Sequence, residues 1–241
     1  MILTYHRIGN RSSPIDHPLG RFEETLDRLL DAGFEAFDLV DRLEHPRGFA
    51  VTFDDGDRSI LPALDALEAR GARATIFVVV DHVGGWNDWP SLPGWVSRSR
   101  LLDWDELADL AARGFTIGSH TMTHVDARRS PLAEVESELV ASRAAIEARL
   151  GRRCGLFAHP YGRSTRAVRE LVAEHYDAAL GTDLGIVRST DDPTNLPRID
   201  AHYLRYEGLL DRLISGTAAP RLRSRQRMRS VREFLRRVAV A

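Results

Sequence analysis

Apolar residues along the chain follow two patterns, short continuous runs and longer stretches with an apolar residue at every third or fourth position. The runs Phe49–Phe53 and Ala74–Val80 are rich in β-branched and aromatic residues and predict buried strands. The stretches Arg21–Ala32 and Ile60–Arg70 have the helical period, and a glycine follows each of them directly. Strands that alternate with amphipathic helices are typical of parallel α/β folds.

The alternation continues along the chain and predicts one α/β domain over residues 1–215, with a basic helical tail over residues 216–241. Further predicted strands are Met1–Tyr5, Phe115–Gly118, Leu156–Ala158, Ala178–Gly181 and Leu196–Asp200. Further predicted helices are Trp104–Arg113, residues 130–150, Thr165–His175, Tyr206–Ile214 and Arg225–Val238. Residues 81–103 are rich in Gly, Pro and Trp and have no period, so we expect a long ordered loop there.

Charge is unevenly distributed along the chain. The net charge of the 241 residues is −2, yet residues 221–241 hold eight arginines and one acid, Glu233. We therefore expect the tail to contact an anionic partner, either a membrane face or a pyrophosphate-linked lipid sugar, with a solvated or oligomer-forming helix as the alternative. No nucleic-acid partner is expected. Because no secretory signal or membrane span is visible, a cytoplasmic protein is expected, with contact to the inner membrane face through the tail.

Polar residues that could take part in catalysis or metal binding follow several of the predicted strands. His6, Asp54-Asp55, Ser119-His120 and His159–Gly162 each stand where a strand ends. In parallel α/β folds, the loops at the carboxyl ends of the strands build the active site. We therefore expect these side chains to converge.

The Asp54-Asp55 pair and the His120/His124 pair together suggest a metal site. One carboxylate can bind a metal while its neighbour acts as a base on water, provided that a turn, permitted by Gly56, re-aims one of them. Histidines four positions apart on a helical turn lie close enough to share an ion. A solvated Asp-Asp-Gly turn and a surface histidine pair are the alternatives if each motif is considered alone.

These motifs resemble those of the polysaccharide deacetylase family, carbohydrate esterase family 4. The resemblance covers about residues 1–204. The segments that carry it are Tyr5–Ile8, Thr52–Gly56, Ala74–Val78, His120–His124 and Phe157–Gly162. It implies a distorted, incomplete (β/α) barrel and hydrolysis of N-acetyl groups on amino sugars.

The resemblance also implies roles for individual residues. Asp54 would be the catalytic base, and Asp55, His120 and His124 would be the metal ligands. Zinc suits such a set best, while cobalt, nickel or iron are alternatives. The backbone N–H of Tyr161 would stabilise the oxyanion that forms when water attacks the amide carbonyl.

Two positions depart from the family pattern. Many relatives carry an arginine that holds the base two residues before the proline of the third motif, where this chain has Ala158. Many relatives also have a late histidine that acts as general acid, and this chain has no equivalent segment. His6 is the first candidate for the missing proton donor, followed by His159 and His202. The segment Leu196–Asp200 resembles the late segment of short family members associated with exopolysaccharide synthesis.

The expected substrate is an amino-sugar-containing polysaccharide or a lipid-linked glycan precursor. Trp86 and Trp89 are candidates to stack on a sugar ring, and Pro160 and Arg198 are also assigned to substrate contact. A hydrolase of a cyclic imide or small amide is the alternative enzyme, and a non-catalytic carbohydrate-binding barrel is the alternative outside catalysis.

Overall fold

A computed structural model of the chain describes residues 1–10, 13–39, 47–205 and 208–238, with side chains described as far as Val231. The strands are β1 Ile2–Tyr5, β2 Arg7–Ile8, β3 Asp16–His17, β4 Glu35–Ala36, β5 Gly48–Phe53, β6 Ala74–Val78, β7 Thr116–Ser119, β8 Leu156–Ala158, β9 Ala178–Leu184 and β10 Leu196–Asp200. The helices are α1 Leu19–Asp31, α2 Leu61–Glu68, α3 Trp104–Ala112, α4 Leu132–Leu150, α5 Arg166–His175, α6 Ala201–Leu204, α7 Leu209–Ile214 and α8 Ala219–Val238.

Seven parallel strands form a closed barrel. Their order is β1-β10-β9-β8-β7-β6-β5, and pairing of β1 with β5 closes the ring. The short strand β4 pairs with the outer edge of β5. The predicted α/β class and the distorted (β/α) barrel are therefore confirmed, and because all neighbours are parallel, every barrel strand delivers its carboxyl end to the same face.

The barrel strands are buried because helices cover their outer side. All six residues of β5 and all five of β6 are buried, in agreement with the continuous apolar runs of the sequence. Helix α1 packs Phe22, Leu26 and Leu29 against this core. Helix α3 begins at a capping box in which the Asp103 carboxylate accepts from the Glu106 N–H, as the sequence predicts.

The C-terminal helix packs against the barrel. Helix α8 begins at Ala219, before the predicted start at Arg225, and its residue Leu222 is buried in the hydrophobic core. The Gln226 side chain accepts from the Leu184 N–H at 2.9 Å, and Arg229 donates to the Thr182 carbonyl at 2.8 Å. The predicted start of α7 at Tyr206 lies outside the described residues. Within the described ranges, we find no helix with the length and apolar content needed to cross a membrane.

Candidate metal-dependent active site

Left-handed backbone conformations mark the loops at the carboxyl face of the barrel. Among the described residues, four non-glycine positions have positive φ, namely Asp55 (72°), Thr121 (70°), His124 (61°) and Tyr161 (59°). All four follow the ends of β5, β7 or β8. Such conformations cost about 1–3 kcal/mol each and persist where the surroundings impose them. Their concentration at one face locates the candidate site.

The two adjacent aspartates reach the site because the chain turns sharply after β5. Asp55 itself adopts the left-handed conformation, and Gly56 follows it with φ 70°. A Cβ on Gly56 would lie 3.2 Å from Val78 Cγ1, so the turn packs tightly on β6. The predicted turn is confirmed, with the addition that an aspartate, and not only the glycine, takes the strained conformation.

The two histidines converge from a loop and not from a helical turn. Residues 120–124 are non-helical, and the positive φ values of Thr121 and His124 fold this loop back on itself. The predicted helical geometry is therefore wrong, although the predicted proximity is right. The Nε2 atoms of His120 and His124 lie 3.5 and 3.4 Å from the same Asp55 oxygen.

This set of donors fits a divalent metal ion. Ligand atoms about 2.1 Å from a tetrahedral zinc ion are about 3.4 Å apart, close to the observed separations. The His120 Nδ1 atom lies 2.8 Å from the Ala158 carbonyl oxygen, so Nδ1 carries the proton and the Nε2 lone pair is directed at the site. The ligand atoms of Asp55, His120 and His124 all lie within 4.8 Å of one another.

The protonation of the two rings differs. Burial lowers the pKa of His124, which favours the neutral form that a metal needs. Burial also acts against a charge on His120, but the carboxylates of Asp55 and Asp54 outweigh it and raise the pKa of that ring. A metal ion at this site would therefore compete with a proton for His120 more than for His124.

Aromatic rings hold His124 from two sides. The Trp89 ring stacks on the imidazole with centroids 4.4 Å apart, and the Tyr161 ring meets it edge-on at 4.6 Å. Trp89 is only 3% exposed, and the Tyr161 hydroxyl donates to the Ser91 carbonyl at 2.9 Å. The loop that carries Trp89 thus orients a predicted metal ligand.

Asp54 is held by Arg198. The two guanidinium nitrogens Nη1 and Nη2 donate to the two carboxylate oxygens of Asp54, each at 2.8 Å, and both side chains are buried. Burial alone would raise the pKa of Asp54, but the adjacent Arg198 guanidinium, with His120 and His6 nearby, holds it below its usual value. Asp54 is therefore an ionised, fixed carboxylate beside the candidate metal site.

The assignment of Arg198 to substrate contact is corrected by this geometry. Its Nε donates to the Gly181 carbonyl at 2.7 Å, so the guanidinium is fully engaged within the protein. Strand β10 lies beside β1, and β1 lies beside β5, which brings Arg198 to Asp54 from a distant part of the chain. Arg198 thus occupies the base-holding position that Ala158 leaves without a side-chain donor.

The three candidate proton donors lie in different environments. His6 lines the pocket, and its Nε2 is 4.0 Å from an Asp54 oxygen with the side chain 23% exposed. His159 also lines the pocket, but burial lowers its pKa to about 4 and its Nε2 donates to the Thr194 carbonyl. His202 lies on α6 and is not among the pocket residues. A neutral, engaged His159 is a poor donor, so its predicted catalytic role is not supported.

The pocket has an apolar wall that the sequence only partly revealed. It has a volume of about 130 Å³ and includes Leu92, Pro93, Trp95 and Val96 opposite the aspartates and histidines. Trp95 is 58% exposed, so its indole is more accessible in the pocket lining than that of Trp89, and the candidates taken from the sequence did not include it. The sequence could not identify Trp95 as the exposed one, because no local pattern distinguishes it from the other three tryptophans.

Two further predicted substrate contacts are corrected. The Trp86 ring lies outside the pocket lining, where the guanidinium groups of Arg98 and Arg100 cover it at 4.3 and 5.2 Å from its centroid. Pro160 is buried at the start of the turn that carries Tyr161 and also does not line the pocket. Its rigid ring shapes the turn that carries Tyr161 instead.

A buried arginine fastens the apolar wall to the barrel. The Arg7 Nε lies 3.3 Å from Asp57 and 3.5 Å from Asp16, and its Nη1 donates to the Ser97 carbonyl at 3.0 Å. Asn87 accepts from the Ser99 N–H and donates to the same Ser97 carbonyl. These contacts explain why residues 81–103 form an ordered loop, as predicted from the sequence.

Glu138 braces the histidine loop from helix α4. Its carboxylate accepts from the N–H groups of Met122 and Thr123 at 2.7 and 3.0 Å, and from the Thr123 hydroxyl at 2.8 Å. These hydrogen bonds hold the loop between the two histidines in its left-handed shape. Sequence reasoning assigned Glu138 no role, because the helical pattern alone places it on a solvated face.

Replacement of Glu138 with alanine is expected to weaken metal binding about 10- to 100-fold, the usual effect of losing a group that orients ligands. Competition with a chelator measures the affinity. Glu136→Ala, on an exposed position of the same helix, is the matched control and should bind as the unaltered protein does. Equal metal affinities in the two variants would show that the Glu138 hydrogen bonds do not contribute to metal binding.

Comparison with known proteins agrees with this geometry. Residues 43–177, more than half of the chain, match the family model for polysaccharide deacetylase. A chitin deacetylase from Pestalotiopsis sp is 32% identical over 44% of this chain and 32% of its own length. YxkH of Bacillus subtilis (strain 168), named for the same family, is 23% identical over 67% of this chain and 56% of its own length. The chain thus spans about half or less of these curated relatives.

Solved structures share the fold. A polysaccharide deacetylase from Bacillus cereus superimposes with a TM-score of 0.74 at 22% identity, over 88% of this chain and 68% of the other. IcaB from Ammonifex degensii also gives 0.74 at 22% identity, over 90% of this chain and 96% of the other. Together with the sequence match, the barrel and its strand-end residues lead to one assignment. The chain belongs to the polysaccharide deacetylase family.

Proposed function

We propose that this protein is a metal-dependent hydrolase that removes an N-acetyl group from an amino sugar of a polysaccharide or a lipid-linked glycan precursor. The observation that carries the proposal is the convergence of His120 and His124 on Asp55, with each Nε2 atom 3.4–3.5 Å from the same carboxylate oxygen, beside the ionised Asp54. Membership of the polysaccharide deacetylase family supports the same reaction. Zn²⁺ is the proposed ion, and Co²⁺, Ni²⁺ or Fe²⁺ would suit the same ligands.

Each residue of the site has a separate role in the proposed reaction. Asp55, His120 and His124 would hold the ion. When bound, the ion would polarise the amide carbonyl as a Lewis acid and lower the pKa of a water molecule. Asp54 is the proposed base that would take the proton from the attacking water, and its ion pair with Arg198 would keep it ionised. The Tyr161 N–H is the proposed donor to the developing oxyanion, and the apolar wall around Trp95 is the proposed surface for packing against the sugar.

His6 is the proposed general acid for the departing amine. It is the partly exposed histidine of the pocket, 4.0 Å from Asp54, whereas His159 is neutral and engaged. His6→Asn is expected to cost about 10²–10⁴ in kcat and to erase the alkaline limb of the pH–rate profile. His159→Asn is the matched comparison and should keep that limb. If the His6 variant keeps both its rate and the limb, the proton returns through Asp54 instead.

Acetate release distinguishes the proposed function from its alternatives. The metal-loaded protein is assayed with N-acetylglucosamine oligomers, with a lipid-linked N-acetylated amino sugar and with a cyclic imide. The proposal expects acetate from at least one of the two acetylated glycans. Turnover of the cyclic imide alone would replace the proposed substrate class, and binding of glycans without any turnover would indicate a non-catalytic barrel.

Peripheral attachment to an anionic membrane at the cytoplasmic face is the second part of the proposal. On α8, Arg223 and Arg227 are exposed beside Met228 and Val231, which are 53% and 57% exposed. Such a surface combines charge with apolar area, and each arginine near an anionic leaflet contributes about 1 kcal/mol. The side chains of Arg232, Arg236 and Arg237 lie outside the described residues.

The double variant Arg223→Glu/Arg227→Glu is therefore expected to lose co-sedimentation with phosphatidylglycerol vesicles. Neither parent protein nor variant should bind vesicles of phosphatidylcholine alone. The matched control is Arg166→Glu/Arg169→Glu on α5, which changes the net charge equally at another surface. Equal binding by the α8 and α5 variants, or binding that salt leaves unchanged, would contradict the attachment.

A further inference from the structure

A second large cavity, here called the basic groove, lies between the start of α1 and the helices that follow β10. It has a volume of about 620 Å³, and its lining includes His17, Arg21, Arg28, Arg205 and Asp211. The active-site pocket lies on the other side of segment 15–17, since Ile15 lines that pocket and His17 lines the groove. None of the residues assigned to the proposed reaction lines the basic groove.

The floor of the basic groove contains a buried histidine without hydrogen bonds. His17 is 2% exposed, and within the described parts of the chain neither of its ring nitrogens has a partner. Its ring packs edge-on against Tyr5 at 5.1 Å, which fixes its orientation. Buried polar atoms in native proteins are nearly always hydrogen-bonded, so an unpartnered imidazole in the lining of a cavity indicates a position for a polar ligand.

Positive charge surrounds this histidine. Burial, followed by the charges of Arg205 and Arg21, lowers the pKa of His17 to about 4, and all three residues line the basic groove. Among the described residues, Arg205 has no carboxylate within ion-pair distance. Arg21 has only an exposed contact with Glu24 at 3.4 Å, and Arg28 pairs with Asp211. Among the described lining residues, three arginines thus face two acids.

The amino end of α1 adds to the same field. The helix is 13 residues long, and its N-cap residue, Pro18, provides no side-chain acceptor for the first N–H groups. Pro18 and Arg21 both line the basic groove. The positive end of the helix dipole therefore reinforces the arginines on one side of His17.

We infer that the basic groove binds a phosphate group, with Arg21 and Arg205 as charged donors and His17 as a hydrogen-bonding partner at its base. The forked guanidinium group matches phosphate oxygens, and the donors come from separate elements, α1, β3 and the end of α6. The phosphate could belong to a sugar phosphate or to a lipid headgroup, which share this chemistry. The inference concerns binding outside the pocket and does not depend on the proposed deacetylation.

Titration with inorganic phosphate at constant ionic strength tests the inference on the full chain. We expect binding at millimolar concentrations, accompanied by a shift of the His17 ring resonances, which are assigned by their absence from a His17→Gln variant. Arg21→Ala and Arg205→Ala should each weaken binding about 10- to 100-fold, as expected for loss of a charge-assisted hydrogen bond. Arg166→Ala is the control, because Arg166 is an exposed arginine that does not line the groove.

Two soluble esters identify the source of the phosphate. Tighter binding of N-acetylglucosamine 1-phosphate than of glycerol phosphate supports a sugar phosphate, and the reverse order supports a lipid headgroup. The inference is overturned if the unaltered protein binds no phosphate, if both arginine variants bind as tightly as Arg166→Ala does, or if the His17 resonances stay unchanged at saturation. Preference for a neutral oligosaccharide over all three phosphates would also overturn it.

Discussion

Asp54→Asn is expected to keep the metal and to lose turnover by about 10²–10⁴, because the change removes a base and no ligand. Asp54 lies beside the candidate ligands, but its two oxygens are both occupied by Arg198 at 2.8 Å. The ligand set of Asp55, His120 and His124 is complete without it. Metal content by elemental analysis and acetate release on the same preparation measure the two effects separately.

His120→Ala is the contrasting variant and should lose both metal and activity. Its Nε2 is one of three donors to the site, and removal of one of them leaves two. If Asp54→Asn loses the metal as completely as His120→Ala does, Asp54 is a ligand and the assignment of roles to the two aspartates is wrong. Retention of normal turnover by Asp54→Asn would equally contradict its assignment as the base.

Arg198→Met is expected to have the second largest effect, on stability and on the pH dependence of the reaction. The pair is buried, so the variant leaves an unpaired carboxylate in the core, a change that costs about 3–5 kcal/mol in the free energy of unfolding. Chemical denaturation measures this loss. The double variant Asp54→Asn/Arg198→Met removes both charges and should recover part of the lost stability. Such a recovery would show that the loss in Arg198→Met comes from the unpaired carboxylate and not only from poorer packing.

The sign of the pH effect follows from the direction of the pKa shift. Arg198 holds the pKa of Asp54 below its usual value, so the pair stabilises the fold above about pH 3.9, and this stability is lost as the pH falls through the folded-state pKa. Without Arg198, burial dominates and the pKa of Asp54 rises. The acidic limb of kcat/KM should therefore move to higher pH in Arg198→Met.

Arg198→Lys is the conservative control for this second prediction. A lysine restores the positive charge but not the two-pronged contact, so its acidic limb should lie between those of the unaltered protein and Arg198→Met. An acidic limb in Arg198→Met at the same pH as in the unaltered protein would show that Arg198 has only a structural role.

The apolar pattern predicted the parallel α/β class and the convergence of the strand-end residues for clear physical reasons, whereas the barrel and the roles of individual residues were implied by the family resemblance. Continuous apolar runs such as Ala74–Val78 identify strands covered on both faces, and polar residues directly after such runs must lie at the carboxyl face. The positions of Asp54, Asp55, His120 and His124 follow from this rule. Their detailed geometry did not, because the left-handed conformation of His124 depends on tertiary support from Trp89 and Glu138.

Arg198 shows where sequence reasoning reached its limit. The family pattern drew attention to Ala158, near in sequence to the third motif, and no feature of the local sequence connects Asp54 with a residue on the last strand. Only closure of the barrel through β1, which lies between β5 and β10, brings the two together.

A metal titration of acetate release tests the central claim most directly. Metal-free protein is prepared by chelation, its fold is verified by circular dichroism, and Zn²⁺ is added stepwise in the presence of an N-acetylglucosamine oligomer. We expect no acetate without metal and a rate that rises in proportion to added Zn²⁺ up to one equivalent per chain, with His120→Ala inactive throughout. Full acetate release by the folded metal-free protein would contradict the proposed metal-dependent mechanism.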